Sequence, residues 1–218
     1  MVEKRRALRR SVMSRDERAD RLVHGIGVTF TVAACLALAT TVHRLDRLTV
    51  VGLAIYGFGL LATFACSALY NLTEQTSPHS VFRRLDHAAI FIMIAGTYTP
   101  LILSLMATTR GYDLLAFVWT GAIAGVVAKL FFPAHAERYS VVAYLLLGWA
   151  ILGAVVPIYN ALPATGLLLL AAGGLFYSFG VIFHVKNHLP YQNALWHACV
   201  LAGAACHFGL ILRYVALA

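Results

Sequence analysis

Charged side chains are scarce in this sequence: they make up 12% of its 218 residues, and only nine residues are acidic. A soluble domain of this size carries about twice that share. No run of short alternating apolar and polar segments is visible, which excludes a transmembrane β-barrel. The four cysteines, Cys35, Cys66, Cys199 and Cys206, all fall inside apolar stretches and none is paired in a loop. No disulfide framework is therefore implied. Internal repeats and low-complexity segments are lacking, and no connection is long enough for a second domain. The first apolar run also lacks a small-residue cleavage pattern at its end, and it is too long for the core of a secretory signal.

What the sequence has instead is hydrophobicity, 61% by residue with a mean hydropathy of +0.78. It is organised into runs close to the ~20 residues that cross about 30 Å of hydrocarbon as a helix. Seven runs stand out, at 22–42, 48–72, 87–106, 114–133, 141–160, 166–185 and 194–216. Short connections make antiparallel neighbours of consecutive runs. The expected fold is an all-α, seven-helix transmembrane bundle over residues 22–218, preceded by a basic arm over residues 1–21. Gly121 and Gly125 form a small-xxx-small pair suited to close packing. Pro100 and Pro157 are expected to kink the third and fifth helices.

The net charge of +8 is unevenly spread. Lys4, Arg5, Arg6, Arg9, Arg10, Arg15, Arg18 and Arg21 all precede the first run. That concentration reads as an orientation signal and an anionic-lipid contact rather than a nucleic-acid arm. With the arm in the cytoplasm, Arg83, Arg84, Lys129, Arg138 and Lys186 also fall inside, against Arg44, Arg47, Arg110 and Arg213 outside. The expected topology is thus a cytoplasmic N-terminus and an outer C-terminus in the plasma (inner) membrane. Arg83 and Arg84 are placed to meet lipid headgroups. Membrane lipid is the expected partner, and nothing in the sequence specifies an oligomeric state.

Ionisable residues inside spans are costly, so each one is a candidate for function. His24 opens the first span, Ser67 and Asn71 close the second, Asp86 and His87 open the third, and Asn193 and His197 open the seventh. On the stated topology all lie at one depth, near the cytoplasmic face. Ser67 and Asn71 are four residues apart, as are Asn193 and His197, so each pair shares a helix face. Ser67, Asn71, Asp86, Asn193 and His197 are expected to converge in one cavity open to the cytoplasm. The remaining histidines have ordinary readings. His43, His79 and His135 are solvated, His184 and His188 are interfacial, and His207, rotated about 80° from His197, bonds to a neighbouring helix.

At these residues the sequence resembles the bacterial hemolysin III-type proteins, relatives of the progestin and adiponectin receptors. The resemblance is carried by Asp20-x3-His24-Gly25, by Ser67-Ala68-Leu69-Tyr70 and by Leu85-Asp86-His87-Ala88-Ala89-Ile90. It continues through Ala95-Gly96-Thr97-Tyr98-Thr99-Pro100 and Ala194-Leu195-Trp196-His197. It implies seven spans and a cytoplasmic zinc site built from a Ser-x3-His, an aspartate and a His-x3-His. Ser67, Asp86 and His197 match that pattern. Asn71 and Asn193 stand where histidines are expected, and a neutral amide is a poor zinc ligand. Zinc is therefore expected to bind weakly or not at all, with His197, Asp86 and His24 as the donors that remain. With that site incomplete, the expected activity is a lipid sensor or regulator of membrane state with a degenerate zinc site. Two alternatives stand beside it. One is a zinc-dependent lipid-amide hydrolase with Asp86 and Ser67 as catalytic groups, and the other is a membrane-damaging cytolysin.

Overall fold

The computed structural model describes residues 14–72, 81–186 and 188–218. Most of the basic arm, and His79, lie outside the described residues. Helix α1 spans Arg15–Ala39, α2 Arg47–Leu72, α3 Val81–Leu105 and α4 Thr109–Phe131. The fifth span is composite: α5 (Pro133–Gly148) passes through a 3₁₀ segment (Trp149–Ala154) into α6 (Val155–Ala161). Helix α7 covers Ala164–Val185, and α8 covers Gln192–Ile211 before a π-turn over Leu212–Ala216. Among the described residues, seven helical stretches are long and apolar enough to cross a membrane, which bears out the seven-span bundle.

Among the boundaries that differ from the sequence reading, two matter to the site. Ser14 caps α1 in a capping box with Glu17, so the helix begins within the segment assigned to the basic arm. This places Asp20 inside the first helix, one turn before His24. Residues 134–140, expected as a loop, form the first turns of α5. Pro133 sits at the helix start, where its missing N–H costs nothing, and Glu137 thereby gains a fixed helical direction.

Helix α3 lies at the centre, packed against α2, α4 and α5, while α1 fits between α2 and α8. The tightest seam joins α2 to α3. A Cβ at Gly59 would lie 3.1 Å from the Ile92 carbonyl oxygen, and one at Gly96 would lie 3.2 Å from the Ile55 carbonyl oxygen. Glycine lets these backbones touch. Gly121 and Gly125 pack differently, beneath the side chains of Leu147 and Phe91. Hydroxyls stitch the same seam: Thr63 donates to the carbonyl of Ala89 across it, and Thr49 bonds Ser104. One end of the bundle is filled by Leu101, Ile102, Met106, Leu210 and Ile211, all almost fully buried. The other end carries the polar residues.

Pro100 lies inside an unbroken α3, whereas the fifth span is interrupted upstream of Pro157. Tyr98 is inserted at that interruption. Its hydroxyl accepts from the Ile151 N–H at 2.9 Å and donates to the Gly148 carbonyl at 2.8 Å, with the Leu147 carbonyl at 3.0 Å. A side chain spliced into the backbone ladder satisfies groups that the 3₁₀ geometry leaves without helical partners.

Candidate functional site

Three donors from the first and last helices meet at the polar end. Asp20 and His24 are four residues apart on α1, so both face α8, where His197 stands. His197 Nδ1 lies 2.7 Å from Asp20 Oδ1, a hydrogen bond that the carboxylate accepts. His24 Nε2 lies 3.5 Å from Asp20 Oδ2, and the two imidazole rings are 4.2 Å apart. One donor atom from each residue lies within 4.8 Å of the others, close enough to hold a metal ion together. Asp20 and His24 are both more than nine-tenths buried. The His24 Nε2 atom is buried with no hydrogen-bond partner among the described residues.

Two cavities flank this triad. The apolar one, about 160 Å³, runs along the bundle between α2, α3, α4, α5, α7 and α8. That is on the order of ten times the space one water needs. Its walls are mostly Phe64, Met93, Ile94, Tyr177, Val181 and similar apolar groups. Polar side chains collect at one end, namely Ser67, Asp86, His87, Lys129, Glu137, His184 and His197. The second cavity, about 380 Å³, is polar. It lies between the ends of α1, α2 and α8, with Asp16, Asp20, Arg21, Asn71, Gln192 and Asn193 on its walls. Asp20 faces this vestibule and His197 faces the apolar cavity, so the triad forms part of the partition between them.

This arrangement redistributes the residues expected from the sequence. Ser67, Asp86 and His197 do share a cavity, but Asn71 and Asn193 line the other one. The single expected cavity is thus two. The amides are used locally: Asn71 donates to the Ser67 carbonyl of its own helix, and the Asn193 oxygen accepts from Gln192. Asp86 lies in the apolar cavity rather than in the cluster of donors, and Asp20 provides the carboxylate there. His207 does bond to a neighbouring helix, through the Leu170 carbonyl at 3.2 Å. It also lines the deep wall of the apolar cavity, because the face it occupies is turned toward α7. His184, expected at the interface, stacks against Trp196 and faces His87 in the same cavity.

A second polar cluster lies across the apolar cavity. The Glu137 carboxylate meets Arg83 at 2.8 Å, Lys129 at 3.0 Å and His87 at 3.4 Å. Arg84 donates to the Leu130 carbonyl. Both arginines therefore bond within the protein.

The triad is a possible metal-binding set, and of the family-type positions it includes His197 alone. Two imidazoles and a carboxylate form a three-ligand set of the kind that leaves a coordination place open, and the buried His24 Nε2, which makes no hydrogen bond among the described residues, is available as a ligand atom. Asn71 and Asn193 offer neither charge nor imidazole nitrogen.

The sequence matches the model of the family described as Haemolysin-III related over residues 14–208. It is 36% identical to Hemolysin-3 of Bacillus cereus over 202 residues, 92% of each chain. It is 35% identical to the Hemolysin-3 homolog of Bacillus subtilis (strain 168), covering 92% of this chain and 94% of that one. A more distant likeness, 28% over 197 residues, links it to the human Monocyte to macrophage differentiation factor, covering 85% of this chain and 80% of that protein. No solved structure matches.

Proposed function

The chain belongs to the haemolysin-III-related family of multi-pass membrane proteins, and from that premise we propose that it is a lipid sensor or regulator of membrane state in the plasma (inner) membrane. The observation that carries this reading is the partition. A metal-capable triad lies between a polar vestibule, which faces the cytoplasm in the orientation read from the charge pattern, and a mostly apolar cavity into which a lipid chain is proposed to run. A lipid entering the cavity would lay its chain along Met93, Ile94, Tyr177 and Val181 and leave its head near His197.

Asp20, His24 and His197 would hold the metal, zinc by the chemistry of the donors. Bound there, zinc would supply Lewis acidity and a water acidified toward neutral pH. The residues themselves contribute fixation. The Asp20 carboxylate orients the His197 ring through Nδ1, and the contact ties α1 to α8. Asn71 and Asn193 keep the vestibule polar without adding charge.

The second reading, a lipid-amide hydrolase, is favoured by one observation: Ser67 and Asp86 face the apolar cavity where a lipid head would lie. In that reading Asp86 accepts and returns protons and Ser67 hydrogen-bonds the substrate. A cytolytic pore through one bundle is disfavoured by the packed end built from Leu101, Ile102, Leu210 and Ile211.

One experiment separates the readings. Purified protein is incubated with an N-acyl amide, and bound and free lipids are quantified by mass spectrometry, alongside zinc content. Intact lipid retained at one equivalent, with zinc lost in Asp20→Asn and His24→Gln variants, is the expected result. Repeated release of free acyl product would replace the sensor with the hydrolase. Zinc retained at full stoichiometry in both variants would remove the triad from the account.

A further inference from the structure

The apolar cavity has a second polar corner that the metal triad does not touch. Lys129, on α4, is almost fully buried, and its ammonium is held by Glu137 at 3.0 Å and faces His87 Nδ1 at 3.3 Å. Arg83 reaches the other oxygen of the same carboxylate at 2.8 Å, and His87 approaches at 3.4 Å. Three nitrogen groups from α3 and α4 therefore converge on one carboxylate, the arrangement expected of an anion receptor. The anion in it is contributed by α5.

The burial of the two partners is unequal. The Lys129 side chain is 3% exposed and that of Glu137 is 44% exposed. A buried cation repays its desolvation only when it is well paired, and here the counter-charge is the more exposed partner. Here Lys129 and His87 are built into the bundle, Arg83 lies partly exposed at the rim, and the anion reaches in from the edge. Lys129, Glu137, His87 and His184 all line the cavity, so the receptor opens onto the space that would take an acyl chain. Asp86 is the other carboxylate on this wall. It comes from α3, next to His87, and is buried, whereas Glu137 can swing outward to water.

We propose that Glu137 is an internal stand-in for a ligand anion, and that Lys129, His87 and Arg83 form a headgroup subsite for a single-chain amphiphile with an anionic head. The head would displace the Glu137 carboxylate, and the chain would extend along Met93 and Val181. This inference rests on the cavity receiving a lipid and adds the class of its head, a phosphate monoester or a carboxylate. It also makes Glu137 a competitor whose removal strengthens binding, the opposite of what a packing contact would do.

The test uses the full chain in zwitterionic nanodiscs. Trp149 and Trp196 line the cavity, so quenching by bromine-tipped chains reports occupancy. The probes are dodecyl phosphate, dodecanoate and dodecanol, each brominated at the tail, and inorganic phosphate serves as a competitor. The expected result is that one or both anions bind about tenfold more tightly than the alcohol. Glu137→Gln should tighten the anion by a similar factor and leave the alcohol unchanged. Lys129→Met should abolish the preference, and Lys129→Arg should restore part of it. Equal binding of anion and alcohol in the parent and in Glu137→Gln would overturn the headgroup subsite and leave the lipid cavity standing. No quenching by any probe would overturn the cavity's lipid reading, and the subsite with it. If inorganic phosphate displaces the chain-bearing phosphate at equal concentration, the receptor takes the free ion and the amphiphile is wrong.

Discussion

Two tyrosines buried at similar depth should respond in opposite directions to the loss of one oxygen. Tyr98 splices the broken fifth span, accepting from Ile151 N–H and donating to the Gly148 carbonyl. Tyr56 is fully buried, and its hydroxyl has no partner among the described residues. For Tyr98→Phe, the Ile151 N–H and the Gly148 carbonyl each lose this partner in an apolar surrounding. Hydrogen bonds between membrane helices average about 0.6 kcal/mol and reach roughly 1.7, and an orphaned buried group costs about 1–3 kcal/mol. Two bonds lost and one N–H stranded put the destabilisation at roughly 2–4 kcal/mol. For Tyr56→Phe the folded protein loses nothing and sheds a buried unpaired hydroxyl, so stability should hold or rise by about 1 kcal/mol. The assay is the midpoint of unfolding in a graded SDS titration, followed by tryptophan fluorescence, which neither substitution alters chemically. Hydrogen exchange at the Ile151 amide adds a local readout and should accelerate only in Tyr98→Phe. Equal shifts in the same direction for both variants would refute the reasoning, because the effect would then follow the ring and not the hydroxyl's partners.

Three further outcomes are expected. A reporter fused after Ala218 should score as external, because seven spans follow an arm held inside by its basic residues; a cytoplasmic signal would reverse the bundle and the placement of the vestibule. The double variant Asn71→His, Asn193→His should bind zinc more tightly than the parent and melt higher when zinc is present, since two imidazoles would then face the vestibule beside Asp20; unchanged zinc dependence would show that the two sides of the partition do not cooperate. Asp46 caps α2, with the Thr49 hydroxyl and the Thr49 and Leu48 N–H groups bonded to its carboxylate. These bonds, the Thr49 hydroxyl first, hold its pKa below the usual carboxylate value. A depressed folded-state pKa means stability present above the unfolded value of about 3.9 and lost as pH falls through the folded one. Melting profiles in acid should therefore lose part of their slope in Asp46→Asn, and an unchanged slope would remove the cap from the account.

The bundle was legible because hydrocarbon thickness leaves a coarse mark, runs of about 20 apolar residues, that survives any error of a few positions. The site was less legible, and the misses share one cause. A basic arm drawn to residue 21 and a loop drawn over 134–140 give neither Asp20 nor Glu137 a helical direction. The spacing rule applied to Ser67 with Asn71, and to Asn193 with His197, holds equally for Asp20 with His24. The Ser14–Glu17 capping box marked where that helix begins. Lys129 was read only as an orientation charge, although its position near the end of α4 gave it the depth of Asp86. What no pattern in one chain conveys is which two helix faces meet. The contact of α1 with α8, which brings His24 to His197, is a property of the folded bundle.

That contact joins residues 177 positions apart in the sequence, and its consequence falls on biosynthesis. At roughly 5–20 residues per second, Asp20 and His24 wait on the order of 10–35 s in the emerging chain before His197 is made. Through that interval the first helix carries a carboxylate and an imidazole that have each other but not His197, and that end is best kept in contact with water or the insertion machinery. The first helix to be made is thus among the last to be fixed in place. Premature release of a nascent chain, one span short, should leave it the least firmly anchored of all and expose it to membrane proteases.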